Sequence, residues 1–128
     1  MPLTHWQVWV GVAVGGALGA PARHALTVAA GGAGLRWPLA TLAANVLGCF
    51  VAGFATAWLV RSGTEPSATT LAFTTGFLGA FTTFSAFSVE TLALLEGGRS
   101  AAAALHAATN LGGALLAVAA GALFARAL

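Results

Sequence analysis

The sequence predicts an all-α integral membrane protein: four transmembrane helices per subunit, the third broken near its middle, paired as an antiparallel dual-topology dimer. Three observations carry this. The 128 residues are 59% hydrophobic and 6% charged, with a mean hydropathy of +0.90. A soluble domain of that length has too much surface to keep so much apolar area from water. The apolar residues fall into four segments divided by short polar turns. The third segment holds two glycines and a run of hydroxyls where an unbroken helix is expected.

The first segment covers about residues 6–30, is rich in Gly and Ala, and carries Arg23 and His24 in its second half. It has no basic region ahead of it and no obvious cleavage site behind it, so it reads as a retained span and not as a signal peptide. Small residues at this density suit close helix–helix approach in lipid. Gly31-Gly32-Ala33-Gly34 ends it as a turn. The second segment, about residues 37–60, contains no charged residue. It is long enough to cross, since a bilayer core takes roughly 20 apolar residues. Pro38 suits its first turn, Arg61 closes it, and Trp37 and Trp58 fall near its ends, where interfacial aromatics gather. Ser62-Gly63-Thr64-Glu65-Pro66-Ser67 is a polar loop. The third segment covers about residues 68–95 and is followed by the loop Glu96-Gly97-Gly98-Arg99. The fourth covers about residues 100–126, with His106 and Asn110 inside it and Arg126 near its end. There is no second domain and no internal repeat, so residues 1–128 read as one transmembrane domain.

Charge sets the orientation argument. The inventory is five arginines and three glutamates, without lysine or aspartate. The pI of about 10.1 comes from these scattered arginines. They form no cluster that would follow phosphates, which excludes a nucleic-acid partner. Four spans place both termini on one side, with Arg61 and Arg126; Arg36 and Arg99 lie on the other, with Arg23 nearby. The bias that normally fixes orientation is therefore close to zero. Such a chain is expected to insert both ways, and two opposite copies can pair about an axis in the membrane plane.

Few residues carry chemistry. Arg23 lies within a span, where an arginine either snorkels to the interface or faces a partner, a cavity or an anion. Asn45 sits mid-way along the chargeless second span, so its amide either joins helices or offers an NH₂ to a permeation path. Glu90, late in the third span, either caps a vestibule or reaches the headgroups. His106 and Asn110 are one turn apart and share a helix face, lining a path or bonding to neighbouring helices. Cys49 is the lone cysteine, which rules out an intrachain disulfide. No paired carboxylates, Cys/His metal set or nucleophile elbow occurs, so the chain does not read as an enzyme.

The concentrated unusual chemistry is the stretch from Gly76 to Ser88. Phe81, Phe84 and Phe87 recur every third residue, and so do Thr82, Ser85 and Ser88. At about 100° per residue each set forms a drifting stripe. Gly76 and Gly79 each weaken a helix by roughly 1 kcal/mol relative to Ala, and Thr82 and Thr83 can bond back to carbonyls. A break near Gly79–Thr82 frees carbonyls at membrane depth, which is tolerated only where they are buried or bound. A small monovalent cation, shared by two antiparallel copies crossing here, would satisfy them. Aromatic rings have positive edges, so Phe84 and Phe87 could contact an anion; the same rings serve equally as helix packing.

Three stretches together carry a resemblance: Gly16-Ala17-Leu18-Gly19-Ala20-Pro21-Ala22-Arg23, Thr41-Leu42-Ala43-Ala44-Asn45-Val46-Leu47-Gly48-Cys49-Phe50, and Gly76-Phe77-Leu78-Gly79-Ala80-Phe81-Thr82-Thr83-Phe84-Ser85-Ala86-Phe87-Ser88-Val89-Glu90. In order, spacing and span number the chain resembles the Fluc fluoride channels, also called CrcB proteins. The resemblance implies passive, selective fluoride export across a prokaryotic inner membrane by an antiparallel homodimer with two pores. It also implies a structural sodium ion held by the carbonyls of Gly79 and Thr82. Phe84 and Phe87 would be the pore phenylalanines, Asn45 the pore amide and Ser85 the start of a polar track. Arg23 would lie at the vestibule, and Glu90 at the end of the third helix. Ala86 departs from the family's usual hydroxyl, and Asn110 is expected to supply the missing donor. The alternative is a small dual-topology proton-coupled multidrug transporter. It shares size and charge balance, but it needs a membrane-embedded carboxylate near mid-span.

Overall fold

The computed structural model describes residues 5–34 and 38–128. The expectations placed on Arg36 and Trp37 fall outside the described residues. All regular structure among the described residues is helical. Helix α1 spans His5–Gly32 and α2 spans Leu39–Ser62. The third membrane-length stretch is assembled from pieces. Helix α3 (Ala68–Leu71) runs into a π-helical segment (Ala72–Leu78), then into α4 (Gly79–Phe81) and, after two extended residues, into α5 (Phe84–Glu96). Helix α6 spans Ser100–Ala127.

Among the described residues, three stretches are long and apolar enough to cross a membrane: Leu39–Ser62, Ala68–Glu96 and Ser100–Ala127. Helix α1 has the length, at 28 residues, but Pro21, Arg23 and His24 interrupt its apolar run. The outer faces of these helices are apolar and bare: Trp9 is 73% exposed and Leu116 73%. Side chains of that kind left outside the bundle belong in lipid or under a partner.

The turns follow local chemistry. Gly63 ends α2 in the left-handed conformation (φ 60°) and donates its N–H to the carbonyls of Leu59 and Val60. Ser67 caps α3 by accepting from the Thr70 N–H. Gly98, at φ 71°, turns the chain into α6.

Two close seams hold the bundle together. Along α2 and α6, Gly53 lies against the Val118 carbonyl and Gly121 against the Phe50 carbonyl, so a methyl group at either would collide with backbone. Along α1 and the π segment, Gly15 meets Ala72, Gly19 meets Phe77, and Gly76 meets Val12 in the same way. These are the small-residue seams that lipid-embedded helices need, because apolar burial drives association weakly there. Gly76 is thus a packing residue and does not mark the break.

Candidate functional site

The break in the third stretch is built by threonine. Thr82 (φ −80°, ψ 156°) and Thr83 (φ −153°, ψ 121°) are both extended. Gly79 stays helical at φ −63°, ψ −34°. The interruption therefore lies at Thr82–Thr83, at the C-terminal edge of the expected Gly79–Thr82 window, and the glycine does not make it. Thr82 Oγ1 donates to the Leu78 carbonyl at 2.9 Å, closing off the first half. Thr83 then acts as the N-cap of α5, its hydroxyl accepting from the Ala86 N–H at 3.1 Å.

Asn45 grips the break from α2. Its Oδ1 accepts the Thr83 N–H at 2.8 Å, and its Nδ2 donates to the Thr83 carbonyl at 3.1 Å. The side-chain amide thus stands in for a neighbouring strand of backbone. In a continuous helix the Thr83 N–H would go to the Gly79 carbonyl, so the grip takes that carbonyl's helical donor away. From α1, the half-buried Arg23 donates from Nε to the Ala80 carbonyl at 3.2 Å, so a second freed oxygen is satisfied by a cation in the chain itself.

Behind Asn45 a polar chain runs through the bundle. The other Asn45 Nδ2 hydrogen goes to Asn110 Oδ1 at 3.1 Å. Asn110 Nδ2 lies 3.1 Å from His106 Nδ1, and His106 Nε2 lies 3.4 Å from Glu90 Oε2. Thr41 Oγ1 donates to Glu90 Oε1 at 2.6 Å. His106 and Asn110 are 0% and 3% exposed, while the Glu90 side chain is 32% exposed. Polar groups buried at this depth need partners: Thr41, Glu90 Oε1 and the two carboxamides supply one another by hydrogen bonds, while His106 Nε2 and Glu90 Oε2 meet only as a 3.4 Å contact.

The phenylalanines part company at the break. Phe73, Phe77 and Phe81 stack at 5.9 Å steps along the first half. Phe84 and Phe87 form a separate tilted pair at 5.2 Å and 58°. Two extended residues advance the chain without a helical turn, so the expected continuous stripe of Phe81, Phe84 and Phe87 is cut in two. Phe87 is buried at 7% exposure and Phe84 is bare at 70%. A cavity of about 200 Å³ opens beside this pair, lined by Asn45, Thr82, Thr83, Phe84, Phe87 and Asn110 among others. Ser85 is exposed at its edge, its Oγ 3.1 Å from that of Thr83.

The structure therefore brings Asn45, Asn110, Phe84, Phe87 and Thr82 together, with Ser85 adjoining. Arg23 and Glu90 are not neighbours: one serves the carbonyl before the break and the other the polar chain behind it. Both hydrogens of Asn45 Nδ2 are engaged within the chain, which is the helix-joining alternative for this residue. Sequence reading gave no role to Thr41 and took Thr83 only as a hydroxyl able to bond back to a carbonyl, not as a cap or a partner of Asn45. Their signals were present: Thr41 is one turn before Asn45 on the same face, and Thr83 stands where a helix restarting at Phe84 needs a cap. The pairing of Glu90 with His106 joins two spans and has no local signature.

Comparison with known proteins points one way. The family described as CrcB-like protein, Camphor Resistance (CrcB), matches residues 10–122. The chain is 43% identical over 118 residues to a protein of Sphingopyxis alaskensis named fluoride-specific ion channel FluC, covering 90% of this chain and 92% of that one. A protein of the same name from Saccharophagus degradans is 40% identical over 111 residues, covering 87% and 84%. Another from Methylobacterium nodulans is 44% identical over 99 residues, covering 77% of each.

Proposed function

The chain belongs to the CrcB-like family, and from that premise we propose that it is a fluoride-selective channel in the inner membrane, exporting the ion passively. Its relatives' name supplies the ion; the observation that carries the reading here is the cavity at the helix break. That cavity is walled by an aromatic pair, two carboxamides and two threonines, with no carboxylate among its lining residues. A permeating anion must exchange its water for fixed donors yet be held weakly enough to leave. Ring edges of Phe84 and Phe87 offer the positive part of the aromatic quadrupole. Ser85 and Asn45 offer conventional hydrogen bonds, and Asn110, its NH₂ turned to His106, makes up for the hydroxyl that Ala86 lacks by holding the Asn45 donor in place through Oδ1. The Asn45–Asn110 hydrogen bond makes exchange even: an ion taking the Asn45 donor displaces an internal acceptor of similar strength.

The working unit of this reading is an antiparallel, dual-topology homodimer of four-span subunits with two pores. Phe84, bare at 70% exposure in the single chain, is then covered by the partner. Gly79 and Thr82 would hold a structural sodium ion through their carbonyls. The local backbone fits such an ion: Asn45 has diverted the helical donor of Gly79, Thr82 is extended, and a side chain at Gly79 would meet nothing of its own subunit. Bound there, the cation would neutralise carbonyl dipoles that face one another across the pair. Arg23, on the Ala80 carbonyl, would stand at the vestibule.

The drug-transporter alternative rests on Glu90, a carboxylate inside the bundle beside His106. It requires proton exchange through a mid-span carboxylate and has no use for an aromatic cavity free of carboxylates. Liposomes holding the purified protein and loaded with fluoride separate the two. Fluoride efflux without chloride efflux is expected; efflux equal for both anions, or none without a proton gradient, would defeat the channel reading.

A further inference from the structure

The backbone at Thr83 dictates the direction of every hydrogen bond behind it. The Thr83 N–H must meet Asn45 Oδ1 and the Thr83 carbonyl must meet Nδ2, so the Asn45 amide has one orientation. Its remaining hydrogen faces Asn110, which answers with Oδ1. That turns Asn110 Nδ2 to His106, 3.1 Å from Nδ1 and 3.2 Å from the main-chain carbonyl. An NH₂ group has only hydrogens to give, so Nδ1 is the acceptor and the proton of the neutral ring sits on Nε2. Nε2 in turn faces the Glu90 carboxylate at 3.4 Å. The ring is wholly buried and lies 5.4 Å from that of Phe87, so it cannot turn to other partners without repacking.

We infer that His106 is a positioning residue for the helix break: its unprotonated Nδ1 fixes Asn110, and through it the Asn45 grip on Thr83, so acid loosens the pore by charging this ring. A second proton must go to Nδ1, where it meets the Asn110 hydrogens. Asn110 then turns over, presenting its NH₂ to the NH₂ of Asn45, or withdraws; both weaken the grip. Helix α6 packs only against α2 and α5 among the described elements. The group that titrates opposite the ring is Glu90 of α5, while α2 brings Thr41 and Asn45 to the polar chain, which do not titrate.

The functional part rests on the channel reading; the tautomer does not. In ¹⁵N-histidine-labelled protein in bilayers, with the His106 signals identified by their loss in His106→Gln, a neutral ring protonated on Nε2 is expected near pH 8. A ring protonated on Nδ1 there, neutral or charged, would overturn the proposal. Fluoride efflux, after subtraction of protein-free liposomes, is expected to fall roughly tenfold between about pH 8 and pH 5.5. His106→Gln should remove most of that fall, because a carboxamide does not titrate. A flat native profile, or the same fall in His106→Gln, assigns no role to this ring and also overturns it. Absence of efflux at every pH would instead defeat the channel reading, and the tautomer alone would then decide this one.

Discussion

Asn45 sits where a single amide meets three demands: the Thr83 N–H, the Thr83 carbonyl and Asn110 Oδ1. Asn45→Asp keeps the size and loses the NH₂, leaving two acceptors facing a carboxylate. The expected cost is about 1–3 kcal/mol from the unpaired buried groups, read as a lower unfolding temperature in detergent together with lost fluoride flux. Phe84 should behave differently. At 70% exposure it contributes little to the fold of one subunit. Phe84→Ala is therefore expected to leave subunit unfolding nearly unchanged while efflux falls sharply. Asn110→Leu should lower both flux and fluoride selectivity, since it removes the acceptor that orients the Asn45 donor. Unchanged flux and selectivity in that variant would remove Asn110 from the pathway.

Among the elements, the third stretch teaches most about what could be read in advance. Its interruption was legible, because glycine and threonine both disfavour a helix at membrane depth. Its position was not, because propensity ranks Gly79 as the weak point while tertiary grip decides the outcome. Asn45 and the cap at Thr83 place the extension two residues on, and that partner lies 38 positions away in sequence. The glycines divide accordingly. Gly15→Ala puts a methyl group into the backbone of Ala72 and should cost about 1–3 kcal/mol by overpacking. Gly79→Ala meets open space and should stabilise the lone subunit by up to about 1 kcal/mol. In the proposed dimer the same methyl group would crowd the sodium site. Thermal unfolding and the dimer fraction should therefore move in opposite directions for Gly79→Ala.

At the scale of the whole molecule, the charge balance predicts that a reporter fused to the C-terminus gives signal on both sides of the membrane; strictly one-sided signal would remove dual topology. Helical, membrane-spanning character was legible, and so were the three spans Leu39–Ser62, Ala68–Glu96 and Ser100–Ala127, because they rest on apolar runs that need no knowledge of packing. The polar chain from Thr41 through Glu90, His106 and Asn110 to Asn45 was not, because its members come from three helices and local spacing links only Thr41 with Asn45 and His106 with Asn110, leaving the joins between helices unmarked. The π segment at Ala72–Leu78 has its own consequence for how the gene can change. An i→i+5 turn encloses one residue more than an α turn. The stretch thus carries a surplus residue ahead of the break. Losing one elsewhere in a span would swing everything beyond it by about 100°. Deleting the exposed Thr75 should instead let the segment relax to an α-helix with Thr82 and Thr83 still facing Asn45. This span can absorb a lost codon at one point, and α6, with no such reserve, cannot.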